Sequence, residues 1–139
     1  CPELWTEEFL AGLSTRLAPG GRLLTYSRSA AARASLQRAG LQLYSLLPAP
    51  GERVGWSSGT MAVQPGGSCT AEGPGWRPFS PMEKEHLFTR AAVPFRDPDG
   101  EASSSEILEK RVLEQQACGL EPTNAWQRRW RGDAALQSR

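Results

Sequence analysis

Cysteine is scarce in this sequence, and its three examples, Cys1, Cys69 and Cys118, lie far apart. An odd, scattered set argues against a disulfide framework and against a CxxC metal site, and fits a reducing cytoplasm. Histidine occurs once, as His86. It has no cysteine or carboxylate cluster at ligand spacing beside it, so no metal is expected, and His86 is expected on a helix surface. No Ser-His-Asp or Cys-His arrangement can be assembled. No apolar run approaches the roughly 18–20 residues that cross a bilayer, so no membrane partner is expected, and no signal-peptide pattern appears. An excess of one charge is missing too. The formal net charge is +1, so no global field advertises a nucleic-acid partner, and any RNA contact must come from a local patch.

Glycine and proline, by contrast, are plentiful, at 14 and 11 of 139 residues, which forecasts long irregular connections. The length is that of one ordinary domain. The chain opens on Cys1 rather than Met, with a helix signal directly behind it. The expectation is a piece of a longer protein; the alternative is a removed leader or tag.

The stretch Leu17-Ala18-Pro19-Gly20-Gly21-Arg22-Leu23-Leu24-Thr25-Tyr26-Ser27 organises the first half. Pro19 ends a helix, the two glycines accept a tight turn, and Arg22 to Tyr26 suits a short buried strand. The preceding helix is capped by Thr6. Glu7 and Glu8 sit in its first turn, and Phe9, Leu10, Leu13 and Leu17 share one face. Ser29 caps a further helix, Ala30 to about Ala39, with Gly40 as its stop. Leu41 to Leu47 reads as a strand, Pro48 to Arg53 as a loop, and Thr60 to Gln64 as a last strand. The last connection is too short for a helical crossover, so these two strands should pair antiparallel.

Pro65 to Phe79 has no periodic pattern and reads as a Gly/Pro-rich linker. Two capping boxes follow. Ser80-Pro81-Met82-Glu83 opens a helix to about Ala91. Ser103-Ser104-Ser105-Glu106 opens another to Cys118, with Ile107, Leu108, Val112 and Leu113 as its buried side. Asn124 to Arg131 reads as a short terminal helix. The expected organisation is therefore residues 1–64 as an α/β half-domain, 65–79 as linker, 80–131 as helical extension and 132–139 as a disordered tail.

Pro2-Glu3-Leu4-Trp5-Thr6-Glu7-Glu8-Phe9, Leu17-Ala18-Pro19-Gly20-Gly21, Leu24-Thr25-Tyr26-Ser27, and then Arg33, Leu36 and Ala39-Gly40 keep a characteristic order and spacing. This set resembles the methyltransferase domain of the bacterial tRNA 5-methylaminomethyl-2-thiouridine biosynthesis (MnmC-type) family, over about Pro2 to Val63. The resemblance implies the C-terminal half of a Rossmann-like, S-adenosylmethionine-dependent methyltransferase sheet, ending in an antiparallel hairpin and followed by the helical segment. The organising strand would be the sheet's fifth. It implies methyl transfer to an amine on a modified wobble uridine, with tRNA as partner. The family's Asp-Ala/Gly-Phe-Ser/Ala-Pro motif, its glycine-rich loop and its acidic ribose-binding residue are absent from this sequence. The cofactor is therefore expected for the complete domain, with most of its binding elements missing here, and the chain alone is expected to be inactive. The family's hairpin loop, Gly-Phe-Gly-Arg-Lys-Arg-Glu-Met, is echoed only by Arg53 and Met61.

Candidate residues fall into two groups. Trp5, Tyr26, Ser27 and Arg53 are substrate-pocket candidates. Tyr26, Ser27 and Arg28 lie at the strand end where α/β sheets place ligands, although Tyr26 and Ser27 could equally cap the next helix. Trp5 could stack on a base or, as the preferred reading, anchor the first helix in the core. Trp126, Arg128, Arg129, Trp130 and Arg131 form a basic, aromatic-interleaved cluster suited to RNA; the alternative is a terminal helix whose tryptophans dock while its arginines are solvated. Two other functions stay open: a non-catalytic RNA-binding or protein-interaction module, and a nucleotide-dependent oxidoreductase on a similar α/β core. Nothing in the sequence specifies an oligomeric state.

Overall fold

The computed structural model describes residues 1–49 and 57–137. Pro2–Trp5 forms a 3-10 turn that leads into helix α1, Glu7–Ser14. The Thr6 hydroxyl accepts from the Phe9 amide at 3.2 Å, as expected of its cap position. Helix α1 meets the core through Leu10, with Leu17 packed nearby beyond its end. Phe9 and Leu13, expected on the same buried face, are exposed instead, because no described element covers that side.

Strand β1 is Arg22–Thr25, helix α2 is Ala30–Arg38, strand β2 is Gln42–Leu46 and strand β3 is Gly59–Val63. Every α2 residue from Ala30 to Leu36 is buried. Its alanines let the helix lie close on the sheet, where Ala32 and Leu36 join Leu10, Leu41 and Ala62 in the main core. The expected β2–β3 hairpin is present, with Ser45 opposite Thr60 and Gln42 opposite Val63. β3 also pairs with β1, placing Thr25 opposite the same Thr60. β1 and β2 therefore run parallel to each other with β3 inserted antiparallel between them, and all five β3 residues are buried. This is α/β architecture around a four-stranded sheet, consistent with the carboxyl part of a methyltransferase sheet.

The Pro19-Gly20-Gly21 turn is pinned to the end of β3. The Gly20 amide donates to Gln64 O, and the Gln64 amide to Gly21 O, both at 2.9 Å. Gly20 has φ +76°, and a Cβ there would sit 2.9 Å from Gly67 Cα. The turn thus needs glycine both for its left-handed backbone and for the close approach of a second chain segment.

The stretch 65–79 does more than link. It supplies β4, Trp76–Arg77, which pairs with Ser45 and Leu46 and completes the order β1-β3-β2-β4. A two-residue strand is too short to write an alternating pattern, which is why it reads as irregular. Gly73 makes room for it, since a Cβ there would lie 2.2 Å from the Trp76 ring.

Helix α3, Pro81–His86, is capped as expected but stops five residues earlier than Ala91, and a 3-10 turn at Arg90–Ala92 follows. Helix α4 is Ser104–Ala117, with its capping box formed. Of its expected apolar face only Ile107 is buried; Leu108, Val112 and Leu113 are exposed. α4 docks instead along Ile107, Arg111 and Gln115. Arg111 donates to Val93 O and Ala91 O at 2.8 and 3.0 Å, and Gln115 to Arg90 O at 3.0 Å. Helix α5 is Thr123–Gln137, so the backbone stays helical through Gly132 into the stretch expected as tail. The segment between the Arg90–Ala92 turn and α4 also closes back on the first helix, where the Glu7 amide donates to Phe95 O at 2.8 Å. No described helix is long and apolar enough to cross a membrane.

Candidate functional site

The segment after β1 enters a pocket of about 560 Å³ whose other walls come from the β4–α3 segment and α5. Its charged lining is Arg28, Arg33, Arg77 and Glu83; Met82 and Trp126 add apolar surface. Arg33 forms the floor. It lies in the middle of α2, 2% exposed, where only a fully engaged guanidinium is tolerable. Its Nε donates to Thr60 Oγ1 at 2.8 Å, its Nη1 to Glu83 Oε2 at 3.1 Å, and its Nη2 to Gly59 O and Ser57 Oγ at 3.1 and 3.2 Å. The Phe79 ring lies beneath the guanidinium, 4.4 Å from its carbon to the ring centroid.

Glu83 is held as firmly. The capping box places its backbone at the third position of α3, and its Oε1 accepts from the Ser80 amide at 3.0 Å and from Arg77 Nη1 at 2.5 Å. Its Oε2 also accepts from the buried Ser45 hydroxyl of β2. Burial pushes this carboxyl up, but the hydrogen bonds from Ser45, Ser80 and Arg77 outweigh burial and hold it at about 2. Glu83 therefore stays ionised, a poor proton shuttle but a strong tie between α3, β2, β4 and α2. For Arg33, burial lowers the guanidinium pKa while Glu83 opposes it.

His86 ends α3 and stacks on Trp126 of α5, with centroids 4.3 Å apart and planes within 12°. It is half-buried in the pocket wall rather than on an open helix surface. Burial lowers its pKa first and Arg33 lowers it further, with Glu83 opposing. The imidazole is thus biased towards its neutral form.

The candidate residues from the sequence are distributed unevenly. Tyr26 stands at the end of β1, 92% exposed. Ser27 behaves as a polar corner: its carbonyl accepts from Thr60 Oγ1 at 2.7 Å, and its hydroxyl accepts from the Ser29 amide at 3.2 Å. Trp5 is 36% exposed in the entry turn, so it is not the core anchor that the sequence favoured. Arg53 lies outside the described residues. Trp126 is buried and lines the pocket, while Trp130 is half-buried. Arg129 is tied to Glu85 and Glu121, and Arg128 and Arg131 are exposed. The tryptophan-arginine cluster is thus split: Trp126 faces the pocket, and Arg129 is spent on ion pairs.

Arg28, expected with Tyr26 and Ser27 at the ligand edge, lines the pocket, whereas Arg77 and Glu83 were missed as site residues. Arg28 donates to Ser57 O at 3.3 Å across the pocket mouth. The one available signal was the Ser80–Glu83 capping box, which locates Glu83 in α3 but says nothing of its buried partners. Among the described residues, no group of three His, Cys, Asp or Glu side chains is placed to hold a metal.

Residues 1–59 match the model of a family of S-adenosyl-L-methionine-dependent methyltransferases. No curated protein matches the chain. Among solved structures, MnmC2 from Aquifex aeolicus is similar over 84% of this chain at 25% identity and a TM-score of 0.66. The chain spans 35% of the length of that structure. The likeness runs well past residue 59, into the part that the sequence set aside as an appendage. In its first 59 residues this chain is similar to S-adenosyl-L-methionine-dependent methyltransferases, and in its fold it is similar to MnmC2.

Proposed function

We propose that this chain forms the acceptor side of a methyltransferase that modifies tRNA, transferring a methyl group to an amine on a wobble-position uridine. The observation that carries this reading is the β1-β3-β2 arrangement, which sets Tyr26, Ser27 and Arg28 at one sheet edge beside a cationic pocket. In α/β sheets, ligands collect at the carboxyl ends of parallel strands, and β1 and β2 are the parallel pair here.

The family uses S-adenosyl-L-methionine. The residues present do not fit that group. Its sulfonium is positive, and the one carboxylate among the described lining residues, Glu83, is already occupied by four donors. Among the described residues, no glycine-rich loop joins a strand to a following helix. What the chain's own residues do is select and orient an anionic acceptor. The arginine-rich lining suits a phosphate-bearing strand, and the Arg33 network holds the β1 end still beneath it.

Calorimetric titration of the 139-residue chain tests this reading. Unmodified tRNA should bind at micromolar concentration or better, and S-adenosylmethionine should not. Micromolar binding of S-adenosylmethionine together with no retention of tRNA would reverse the assignment of the acceptor side.

A further inference from the structure

The two edges of the four-stranded sheet differ. At the β4 edge the strand is two residues long and the chain turns back on it, the Gly73 amide donating to Trp76 O at 3.2 Å. At the β1 edge no described segment pairs. The backbone of β1 shows what that edge offers. The Gln64 amide donates to Gly21 O at 2.9 Å, and a Cβ on Gly59 of β3 would lie 2.1 Å from Thr25 O. Gly21 and Thr25 therefore direct their carbonyls inwards, and the alternation of an antiparallel ladder turns the backbone groups of Arg22 and Leu24 outwards. The same alternation puts the side chains of Arg22, Leu24 and Tyr26 on one face of the sheet, and all three residues are exposed.

We propose that β1 is a homodimer interface: two copies of this chain pair antiparallel, edge to edge, about a twofold axis at Leu24. The residues themselves select that register. Outward backbone groups pair only with outward ones, so Leu24 cannot pair with Leu23 or Thr25 of the second copy. A register centred on Arg22 would set two guanidiniums side by side, which is unfavourable. One that places Arg22 opposite Leu24 leaves both Tyr26 rings unpaired. Centred on Leu24, the edge pairs Leu24 with its own copy, Leu23 with Thr25, and Arg22 with Tyr26, and no like charges face each other. A guanidinium over a tyrosine ring is a favourable pair. Arg22 already lies over one ring of its own chain, 4.9 Å from its carbon to the Trp76 centroid, and Tyr26 of the second copy would be another. Such an isologous contact closes after two copies. A four-residue edge falls below the roughly 1,200 Å² of a standard interface, so the dimer is weak and reversible.

Sedimentation velocity of the full chain at rising concentration tests the dimer, and cysteine cross-linking tests its register. The chain should show a monomer–dimer equilibrium with no larger species. Leu24→Lys sets two ammonium groups opposite each other and should weaken association about tenfold or more. Leu113→Lys, at a similarly exposed leucine of α4, should leave association unchanged, which separates edge pairing from general stickiness. For the register, Cys1, Cys69 and Cys118 are first replaced by serine. In that background Leu24→Cys should oxidise readily to a covalent dimer, because position 24 meets itself at the roughly 5.5 Å Cα spacing that suits a disulfide. Leu23→Cys, which lies opposite Thr25, should not. A monomer at every concentration, growth beyond the dimer, equal losses in Leu24→Lys and Leu113→Lys, or equal cross-linking at positions 23 and 24 would each overturn the proposal.

Discussion

Arg33 in the middle of α2 and Glu83 near the start of α3 form an ion pair with 3.1 Å between Nη1 and Oε2, their side chains only 3% and 9% exposed. They are 50 residues apart in sequence. The pair fastens the helical extension to the methyltransferase-like half of the chain.

Removing one partner leaves the other charge buried and uncompensated. Glu83→Ala should cost about 3–5 kcal/mol of unfolding free energy, read from the urea midpoint at constant m. Replacing both, as Arg33→Met with Glu83→Leu, should recover much of that loss, because an apolar pair needs no desolvation. A double variant no more stable than Glu83→Ala would show that the hydrogen bonds to Ser57, Gly59 and Thr60 matter more than the charge balance.

Acid should act on the same pair. The Glu83 carboxyl is held at about 2 in the folded chain, below the roughly 4.3 of an unfolded glutamate. A depressed acid contributes stability that is fully present above the unfolded value and is lost as pH falls towards the folded one. The folded chain should therefore lose stability between about pH 4.3 and about pH 2. Glu83→Gln should start lower and lose less across that window. The comparison is made by thermal melts at several pH values.

His86 carries a second, milder dependence. Its folded pKa lies below the usual value near 6.5, through burial first and Arg33 second. The unfolded chain therefore takes up a proton before the folded one does. Stability is present above pH 6.5 and declines as pH falls below it. Arg33, Glu83 and the Trp126 ring are the groups that bear on the imidazole. His86→Phe keeps an aromatic face for Trp126 and removes the titration, so its melting temperature should be flat from pH 7.5 to pH 5.5. A parallel decline in both proteins would place the dependence elsewhere.

Gly59 opens β3 where that strand passes β1 most closely. A Cβ there would lie 2.1 Å from Thr25 O and 2.9 Å from Tyr26 Cα. The nearest atoms are all backbone, which leaves no soft neighbour to yield. Gly59→Ala should destabilise by about 2 kcal/mol or more, as overpacking does, and should broaden the amide signals of Thr25 to Ser27. Gly119 has open space where a Cβ would go, so Gly119→Ala serves as the neutral control.

β1 pairs on one side only among the described residues, and Leu24 on it is 60% exposed. An uncovered strand edge with an apolar side chain is a template for self-association. Leu24→Lys should raise the concentration at which light scattering detects oligomers, with little change in melting temperature.

The elements legible from the sequence were those written by local chemistry. Thr6, Ser29, Ser80 and Ser103 all cap helices, and Gly40 ends α2 with φ +95°. Each signal needs only three or four neighbouring residues. The antiparallel hairpin was legible from a connection too short for a crossover. β4 was not, because a two-residue strand carries no period. The faces of α1 and α4 were misjudged for a related reason. Periodicity shows which residues share a side, but not whether another element covers it, and α4 turned its arginine–glutamine stripe inwards instead. The pocket was the least legible part. Arg77 and Glu83 have unremarkable sequence neighbours, and only the return of the chain after β3 brings them to Arg28 at the end of β1.

That return has a consequence for how the chain comes off the ribosome. The sheet's central strand is its third in order of synthesis: β1 and β2 are made first, and the place between them stays empty until Val63 has emerged. Until then two apolar strands face each other across a missing neighbour, and their long-range pairing must wait for loop closure. A pause in translation before β3 would hold the nascent chain in its most adhesive state, whereas a pause just after it would let the sheet close before the pocket-forming helices arrive.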